Sequence, residues 1–460
     1  LHASLDFLTA PAGEALLARL AADDLRESNH LRLLTHLRRE YPPEHVRAAL
    51  ELAVLRQQAI AKFGPDAARL YFTRAALEQA SDPLARAYRA GRLTTETQKI
   101  QRSHSASALM NAMNRVPADH AALSSAATWP LRLASATSGS PSPNSGRRLG
   151  GGMIDACCSI GADSLALAAA GWSVHGLDRD PERVALARLN AAALGLTATF
   201  AVADVGAGLP PAEAVFFDPA RRSASGQRIH DVEGYEPPLS LMQAWSHPLV
   251  AVKLSPGVDL DQLAGYPGEV EFISVNGDLK EAVLWRVAGL AGLRATRLTA
   301  GGVLTYHNPS REPLPPAALS EPRGWLVEPD PAILRAGLVG GLAADLNGWQ
   351  LDATIAYITT ADQPASDWVR AWRVRDWLPF NLKRLKAYLR ERRIGQVTVK
   401  RRGFPMTPEE LLAALRPKGE NSATLVMTRC TGQPIVIVCD DLTPEQTGGT
   451  TPADEKGDTY

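Results

Sequence analysis

Apolar residues return at helical spacing through "EHVRAALELAVLRQQAIAKF" (44–63), where Val46, Leu50, Ala53, Val54 and Ile60 fall near one face. Pro42 and Pro43 precede this stretch as a start signal, and Gly64-Pro65 ends it. The same periodicity predicts helices over 12–22, 28–39, 66–79 and 82–90, so residues 1–96 read as an all-α domain rich in Ala, Leu and Arg. A packing or scaffold role is the simplest reading of such a domain, and an RNA-contacting cap is the alternative.

The pattern fails between 97 and 150. "SATSGSPSPNSGRRLGGG" is Ser, Gly and Pro punctuation with few large apolar residues, too little to offset its ordering entropy. Residues 97–150 are therefore expected to be a flexible linker or insertion, with a short helix around 105–114. From 151 apolar runs and helical stretches alternate. Strands are predicted at 153–157, 173–177, 199–203, 214–218, 249–254, 270–275 and 281–287, and helices at 163–170, 181–194 and 239–245. Strand–helix alternation implies an α/β domain (151–292) whose parallel sheet is covered on both faces. The "NGD" between the last two strands is a turn signal for an antiparallel hairpin at the sheet end.

Residues 293–367 read as a mixed connecting region with a helix near 331–345. A second alternation fills 368–440: strand 370–375, helix 381–393, strand 396–400, helix 407–416, and strands 423–429 and 434–438. It reads as a small separate α/β domain, followed by a disordered tail from 441 to 460.

Composition changes this picture only by exclusion. Of 460 residues 45% are hydrophobic and 21% charged, and 49 basic residues balance 49 acidic ones, so any basic surface has to be local. The four cysteines, Cys157, Cys158, Cys430 and Cys439, form no CxxC; no zinc site and no disulfide framework are expected. No 18-residue apolar run and no leader pattern is visible. A cytoplasmic, multidomain protein with no membrane span fits.

The chemistry collects at strand ends. In a doubly wound sheet, ligands sit at the carboxyl ends of the strands, near the point where strand order reverses. After the first strand comes "CCSIGAD" (157–163), after the second Asp178, after the third Asp204, and after the fourth "DPARR" (218–222). Gly161 has no Cβ to hold a ligand away from the backbone. Asp178 lies 17 residues beyond Gly161, near the spacing at which an acid meets ribose hydroxyls. Asp204 suits an adenine amino group or a cap, and Asp218 stands where an acceptor would meet a cofactor. A dinucleotide site wants GxGxxG, and the carboxylate of Asp163 would repel a pyrophosphate at the helix start. It suits an ammonium, which favours S-adenosylmethionine over NAD. The Walker loop is absent.

The loop from Asp155 to Asp163, "VHGLDRDPERVALARLNAAALG" (174–195), "VFFDPARR" (215–222) and "VNGDLKEAVLW" (275–285) resemble class I S-adenosylmethionine-dependent methyltransferases. "DWLPFNLKRLKAYLRERRIGQVTVKRRG" (376–403) resembles the THUMP-like domain that one bacterial group of them carries at its C-terminus. The resemblance covers about 151–440, matches the N-terminal helices more loosely, and extends distantly to trimethylguanosine synthases. It implies a Rossmann-like seven-stranded sheet, cofactor contacts at Asp155, Cys157, Gly161, Asp163, Asp178 and Asp204, and an acceptor-side motif at Asp218 and Pro219. The family loop usually reads Asp-Leu-Cys-Cys-Gly-Ile-Gly-Gly-Asp; here Ser159 and Ala162 replace two of its glycines, which matters if the Ser159 position needs a positive φ. Methyltransferases of exocyclic amines commonly carry Asp or Asn-Pro-Pro-aromatic, and here Ala220 and Arg221 replace the second proline and the aromatic.

Within 381–402 stand nine basic residues, Lys383, Arg384, Lys386, Arg390, Arg392, Arg393, Lys400, Arg401 and Arg402, against the single acid Glu391. Besides a solvated helix face, such an excess suits a surface that tracks RNA phosphates. The expectation is a methyltransferase acting on RNA at a base nitrogen, with RNA held by this module. A small-molecule methyltransferase and a non-catalytic RNA-binding protein with a degenerate loop are the alternatives. Cys157 and Cys158 read as small buried residues, and Asp180 as an N-cap with Pro181 in the first helical position. His175 reads as structural, while His230, Lys253 and Ser255 are weak candidates for facing substrate.

Overall fold

The computed structural model describes residues 2–113, 152–222 and 226–441. Most of the expected linker and nearly all of the expected tail lie outside the described residues. The chain divides into two compact units: Leu1–Glu269 with Lys280–Leu290 and Leu298–Gly302, and Val270–Leu279 with Ala291–Arg297 and Val303–Tyr460.

The first unit opens with α1 (His2–Leu8), α2 (Pro11–Ala21), α3 (Glu27–Leu37), α4 (Pro43–Phe63), α5 (Arg74–Gln79) and α6 (Pro83–Met113). Proline starts α4 and Gly64, at φ 58°, stops it. The buried stripe of α4 runs through Val46, Ala49, Ala53 and Ala59, which leaves Ile60 a further 100° round and 57% exposed, against the expectation from periodicity. Helix α6 is longer than expected: residues 97–113, read as linker with one short helix, continue it without a break. The N-terminal helices do not close a core of their own. Leu16, Leu20, Leu37 and Val46 belong to one buried cluster with Cys158, Ile160, Val184, Leu186 and Phe200. Each fully buried leucine or isoleucine contributes roughly 1.5–3 kcal/mol to such a core.

All seven strands expected from the sequence form: β1 (Gly152–Ala156), β2 (Ser173–Asp178), β3 (Ala198–Val202), β4 (Ala214–Phe217), β5 (Leu249–Leu254), β6 (Glu269–Val275) and β7 (Asp278–Val287). Helix α7 (Ala162–Ala169) follows β1 and α8 (Pro181–Leu194) follows β2. Asp180 caps α8 by accepting the N–H groups of Glu182 and Arg183, as its place before Pro181 implied. The helix expected over 239–245 is instead a 3-10 turn, Leu239–Ala244. In the first unit the strands lie in the order β3-β2-β1-β4-β5-β7. The first five are parallel, and β7 runs antiparallel to β5. Order reverses at β1, between β2 and β4, so the switch-point crevice lies at the carboxyl ends of β1 and β4. Asn276 and Gly277 link β6 to β7 with φ of 52° and 88°, the positive pair of a type I′ turn that "NGD" predicted.

In the second unit β6, β8 (Gly292–Thr299) and β9 (Gly302–Asn308) are neighbours in that order. The region read as a connection then supplies β10 (Trp325–Pro329), α9 (Pro331–Arg335), α10 (Val339–Asp345), β11 (Trp349–Asp352) and β12 (Ile355–Thr360). Gly337, at φ 66°, breaks the expected helix 331–345 in two. The C-terminal part holds β13 (Val369–Pro379), α11 (Leu382–Glu391), β14 (Ile394–Arg401), α12 (Pro408–Leu415), β15 (Asn421–Cys430) and β16 (Gln433–Cys439). One seven-stranded sheet, β11-β12-β10-β13-β16-β15-β14, joins both parts. Strand β13 carries the junction: residues 369–373 pair with β10 and residues 374–379 with β16. Leu385, Leu389, Leu411 and Leu415 of α11 and α12 pack on Leu425, Met427, Val436 and Val438. A second core joins Leu326, Ile355 and Tyr357 to Val426, Ile435 and Ile437.

Candidate active site

The loop after β1 turns by placing three alternate residues in the left-handed region: Cys157 (φ 65°), Ser159 (φ 51°) and Gly161 (φ 83°). Only the third is glycine, and a Cβ there would meet Ala187 at 3.2 Å. Ser159 does occupy a position of positive φ, the point on which its replacement of glycine turned. Its backbone N–H donates to Asp178 Oδ2 at 2.8 Å, and Asp178 Oδ1 accepts the Asp180 N–H at 3.0 Å. The second-strand carboxylate thus fixes the first-strand loop. Asn190, buried on α8, donates to Ile160 O (3.0 Å) and Tyr71 O (3.1 Å) and accepts from Tyr71 N (2.7 Å), tying the loop to the N-terminal helices.

Four of the expected carboxylates converge. Burial raises the Asp155 carboxyl well above its ordinary value, with Asp163, Asp218 and Asp178 adding repulsion. Asp155 is 1% exposed and accepts from Ser164 Oγ, so it braces the start of α7 and does not face the crevice. Asp204 stands apart: it is exposed and accepts the Gly206 N–H at 2.8 Å, the capping role its position allowed. Burial pushes both the Cys157 and Cys158 thiols up, helped by Asp178 and Asp155, so neither is a thiolate nucleophile.

Asp163 is not the N-cap of α7; Gly161 is. Its carboxylate pairs with Arg89 of α6 and accepts from Ser81 Oγ at 3.3 Å. Arg89, 2% exposed, also pairs with Glu281 of β7 and lies over the Phe216 ring at 5.0 Å. Burial raises the Asp163 carboxyl, but Arg89, Lys253 and Arg86 outweigh it and hold Asp163 below its ordinary value. Arg86 lies over Phe63 at 4.4 Å and donates Nη2 to Lys62 O at 2.6 Å. Its Nη1 is buried with no hydrogen-bond partner among the described residues. Arg86, Arg89 and Asp163 close around one gap with no room for a water molecule. Reading motifs strand by strand missed this α6 contribution. A signal was there: Arg86, Arg89 and Arg92 recur every third residue beside the buried Ala85, Ala90 and Leu93.

On the other side of the crevice, Asp218 Oδ2 accepts from Lys253 Nζ at 2.6 Å, and Arg221 Nη2 lies 3.9 Å from Oδ1. Arg221 also donates to Leu254 O at 2.9 Å, and Arg222 to Gly226 O at 3.0 Å. Pro219 is buried, and Ala220 exchanges backbone hydrogen bonds with Glu236. The preceding Tyr235, also buried, comes within electrostatic reach of Asp218. His175 contacts Thr199 Oγ1 at 2.8 Å in a structural role, His230 is exposed, and Ser255 Oγ accepts the Gly257 N–H at 3.3 Å.

Two proteins of Mycobacterium tuberculosis, from strains CDC 1551 and H37Rv, each named an uncharacterized S-adenosylmethionine-dependent methyltransferase, are 36% identical to this chain over 305 residues, 65% of this chain and 83% of theirs. The chain belongs to the S-adenosylmethionine-dependent methyltransferases. A solved candidate methyltransferase from Porphyromonas gingivalis W83 shares the fold of this methyltransferase at a TM-score of 0.67, covering 91% of this chain and 99% of that one at 18% identity. A family model described as THUMP domain-like matches residues 369–441, and one for a domain of unknown function matches 2–59. The enzyme uses S-adenosylmethionine, and its fold is the Rossmann-like α/β fold expected, with N-terminal helices and a C-terminal THUMP-like sheet domain. Among its described residues, no helix is long and apolar enough to cross a membrane, and no cluster of His, Cys, Asp and Glu could hold a metal ion.

The basic segment of the THUMP-like domain divides into two groups. Lys383, Arg384, Lys386 and Arg390 of α11 are exposed, and among the described residues none of them forms an ion pair. Arg393 pairs with Glu420. Lys400 and Arg402, half-buried, pair with Glu328 of β10 at 2.9 and 3.5 Å, and Arg401 donates to Phe404 O at 3.4 Å. Phe404 is buried against Phe380 and is part of the core.

Proposed function

We propose that this methyltransferase acts on RNA, at a base nitrogen, and that α11 holds the RNA backbone. The observation that carries the reading is the row of unpaired cations Lys383, Arg384, Lys386 and Arg390 on a chain of zero net charge. Unpaired exposed cations on one helix are free to displace counterions from phosphates. Arg393 and Arg401 add local positive charge, while Lys400 and Arg402 support the module from inside.

The residues at the switch point fit the donor. Asp163, partly exposed beside Arg89, suits its ammonium. Asp178 retains lone pairs for ribose hydroxyls, Asp204 is exposed for an adenine amino group, and Cys157 and Gly161 offer backbone for close approach. Asp155 acts through Ser164. When bound, S-adenosylmethionine supplies an electrophilic methyl on a sulfonium. The leaving group is already good, so the protein's part is orientation. Asp218 accepts a hydrogen bond from the acceptor amine and aims the nitrogen lone pair. Lys253 and Arg221 hold the carboxylate, and Pro219 stiffens its backbone. In a protein of this kind, with no membrane-crossing helix among the described residues, the cytoplasm is the expected compartment.

Tritium transfer from labelled S-adenosylmethionine into total cell RNA, compared with a small-molecule extract, tests the reading. Label in RNA that disappears with Asp218→Ala supports it. Label only in the extract identifies a small-molecule methyltransferase instead.

A further inference from the structure

The THUMP-like domain holds a cleft of about 480 Å³ that the basic row does not account for. It is lined by Arg375 and Asp376 of β13, Tyr388 and Arg392 at the end of α11, Ile394 of β14, and Asn421 and Ser422 of β15. That volume lies in the range of small-ligand pockets. Six of its seven lining residues are polar or charged, Ile394 being the exception.

Two features give the cleft a recognisable chemistry. The first is a flat platform: the Arg392 guanidinium lies 3.8 Å from the centroid of the Tyr388 ring, and 44% of the Arg392 side chain remains exposed. Unstacked nucleobases are bound on such aromatic and guanidinium planes. The second is a set of hydrogen-bonding groups around the platform, a carboxylate from Asp376, an amide from Asn421 and a hydroxyl from Ser422. Several of these groups are held in place. Asn421 Nδ2 donates to Arg392 O at 2.8 Å, fixing the end of α11 to β15. Arg375 pairs with Asp440 and donates to Ser422 O at 2.9 Å. One helical turn before Tyr388, on the same face, stands the exposed and unpaired Arg384.

We propose that this cleft takes one unpaired nucleotide of single-stranded RNA, its base stacked on the Arg392–Tyr388 platform and its neighbouring phosphate at Arg384. The proposal rests on the RNA reading and adds to it: the helix row senses charge, whereas the cleft requires a base that can leave its stack. The module therefore prefers a single-stranded end, loop or bulge to a continuous duplex.

Fluorescence anisotropy with the full chain tests this, using one labelled RNA sequence as a single strand, as a blunt duplex, and as an abasic strand of the same length. The wild type should bind the single strand roughly ten-fold more tightly than the abasic strand. Arg392→Ala should remove that preference. Arg392→Lys, which keeps the charge and lacks the plane, should remove it too. Neither change should move duplex binding by more than about two-fold. Converting Lys383, Lys386 and Arg390 together to Gln should weaken all three RNAs alike. Arg392 is surface-exposed, and an unchanged thermal midpoint would verify folding in each variant. Equal binding of base-bearing and abasic strands by the wild type overturns the proposal. So does a preference that survives both Arg392 substitutions; in either case charge-dependent RNA binding would leave the broader RNA reading standing. Absence of RNA binding by the wild type overturns both.

Discussion

Lys253 Nζ sits 2.6 Å from Asp218 Oδ2, and the lysine side chain is 4% exposed while the carboxylate is 23% exposed. One partner is anchored in the sheet and the other faces the crevice. Under the proposed role, Asp218→Asn keeps the shape and removes the charge that would grip an acceptor amine. It should lower kcat by about 10²-fold or more, while calorimetry finds S-adenosylmethionine affinity nearly unchanged. Equal losses in donor binding would move Asp218 to the donor side of the site.

Arg89 answers two carboxylates at once, Asp163 on α7 and Glu281 on β7. Arg89→Met leaves the buried Glu281 without its cation and Asp163 with only Lys253 and Arg86 nearby, and should cost about 3–5 kcal/mol of stability. Arg89→Lys should recover only part of it, since one ammonium cannot reproduce the guanidinium fork. Urea unfolding measures both. A loss below about 1 kcal/mol for Met would mean that solvent screens the pair.

The Asp155 carboxyl is held well above its ordinary value of 3.8, first by burial. The folded state therefore binds this proton more tightly than the unfolded chain does. The stabilisation is complete below the ordinary value and is lost as pH rises through the raised folded one. Asp155→Asn lacks this loss. Its thermal midpoint should gain on the wild type between pH 5 and pH 8, and a constant difference across that window would count against a raised carboxyl.

Ser159 holds a φ of 51° that glycine adopts without strain. Ser159→Gly should stabilise the fold by about 1 kcal/mol, the lower end of the cost of a left-handed non-glycine residue. Denaturant melts should show a higher midpoint with the same slope. A lower midpoint would mean that the hydroxyl makes a contact worth more than the strain.

Lys400 and Arg402 share the half-buried carboxylate of Glu328, whose acidity is raised by them against the effect of burial. Lys400→Gln should destabilise the chain by about 1–3 kcal/mol, with little change in the salt dependence of RNA binding. Lys383→Gln should do the reverse, reducing the salt slope by about 0.7 for one lost single-strand phosphate contact. Circular dichroism melts and binding titrations at several salt concentrations separate the two groups.

Local pattern made much of this protein legible. The seven strands from Met153 onward, α8 with its Asp180 cap, and the polar residues that follow the strands at Asp163, Asp178 and Asp218 follow from periodicity and capping, which act over a few residues. β8 to β12 were not legible, because short strands with mixed faces such as "GLRATRLT" carry no clean alternation. Tertiary structure alone decided what the charged residues do. Arg89 meets Asp163 at a sequence separation of 74, and Lys400 meets Glu328 at one of 72. Which cation is buried beside a carboxylate, and which is left for a partner, depends on neighbours that only the packing of distant segments brings within reach. A run of basic letters contains no such information. The sequence by itself determined most elements of the first sheet and the polar character of its strand ends; packing determined that Arg89 of α6 meets Asp163 there and that Lys383, Arg384, Lys386 and Arg390 of α11 are left without ion pairs among the described residues.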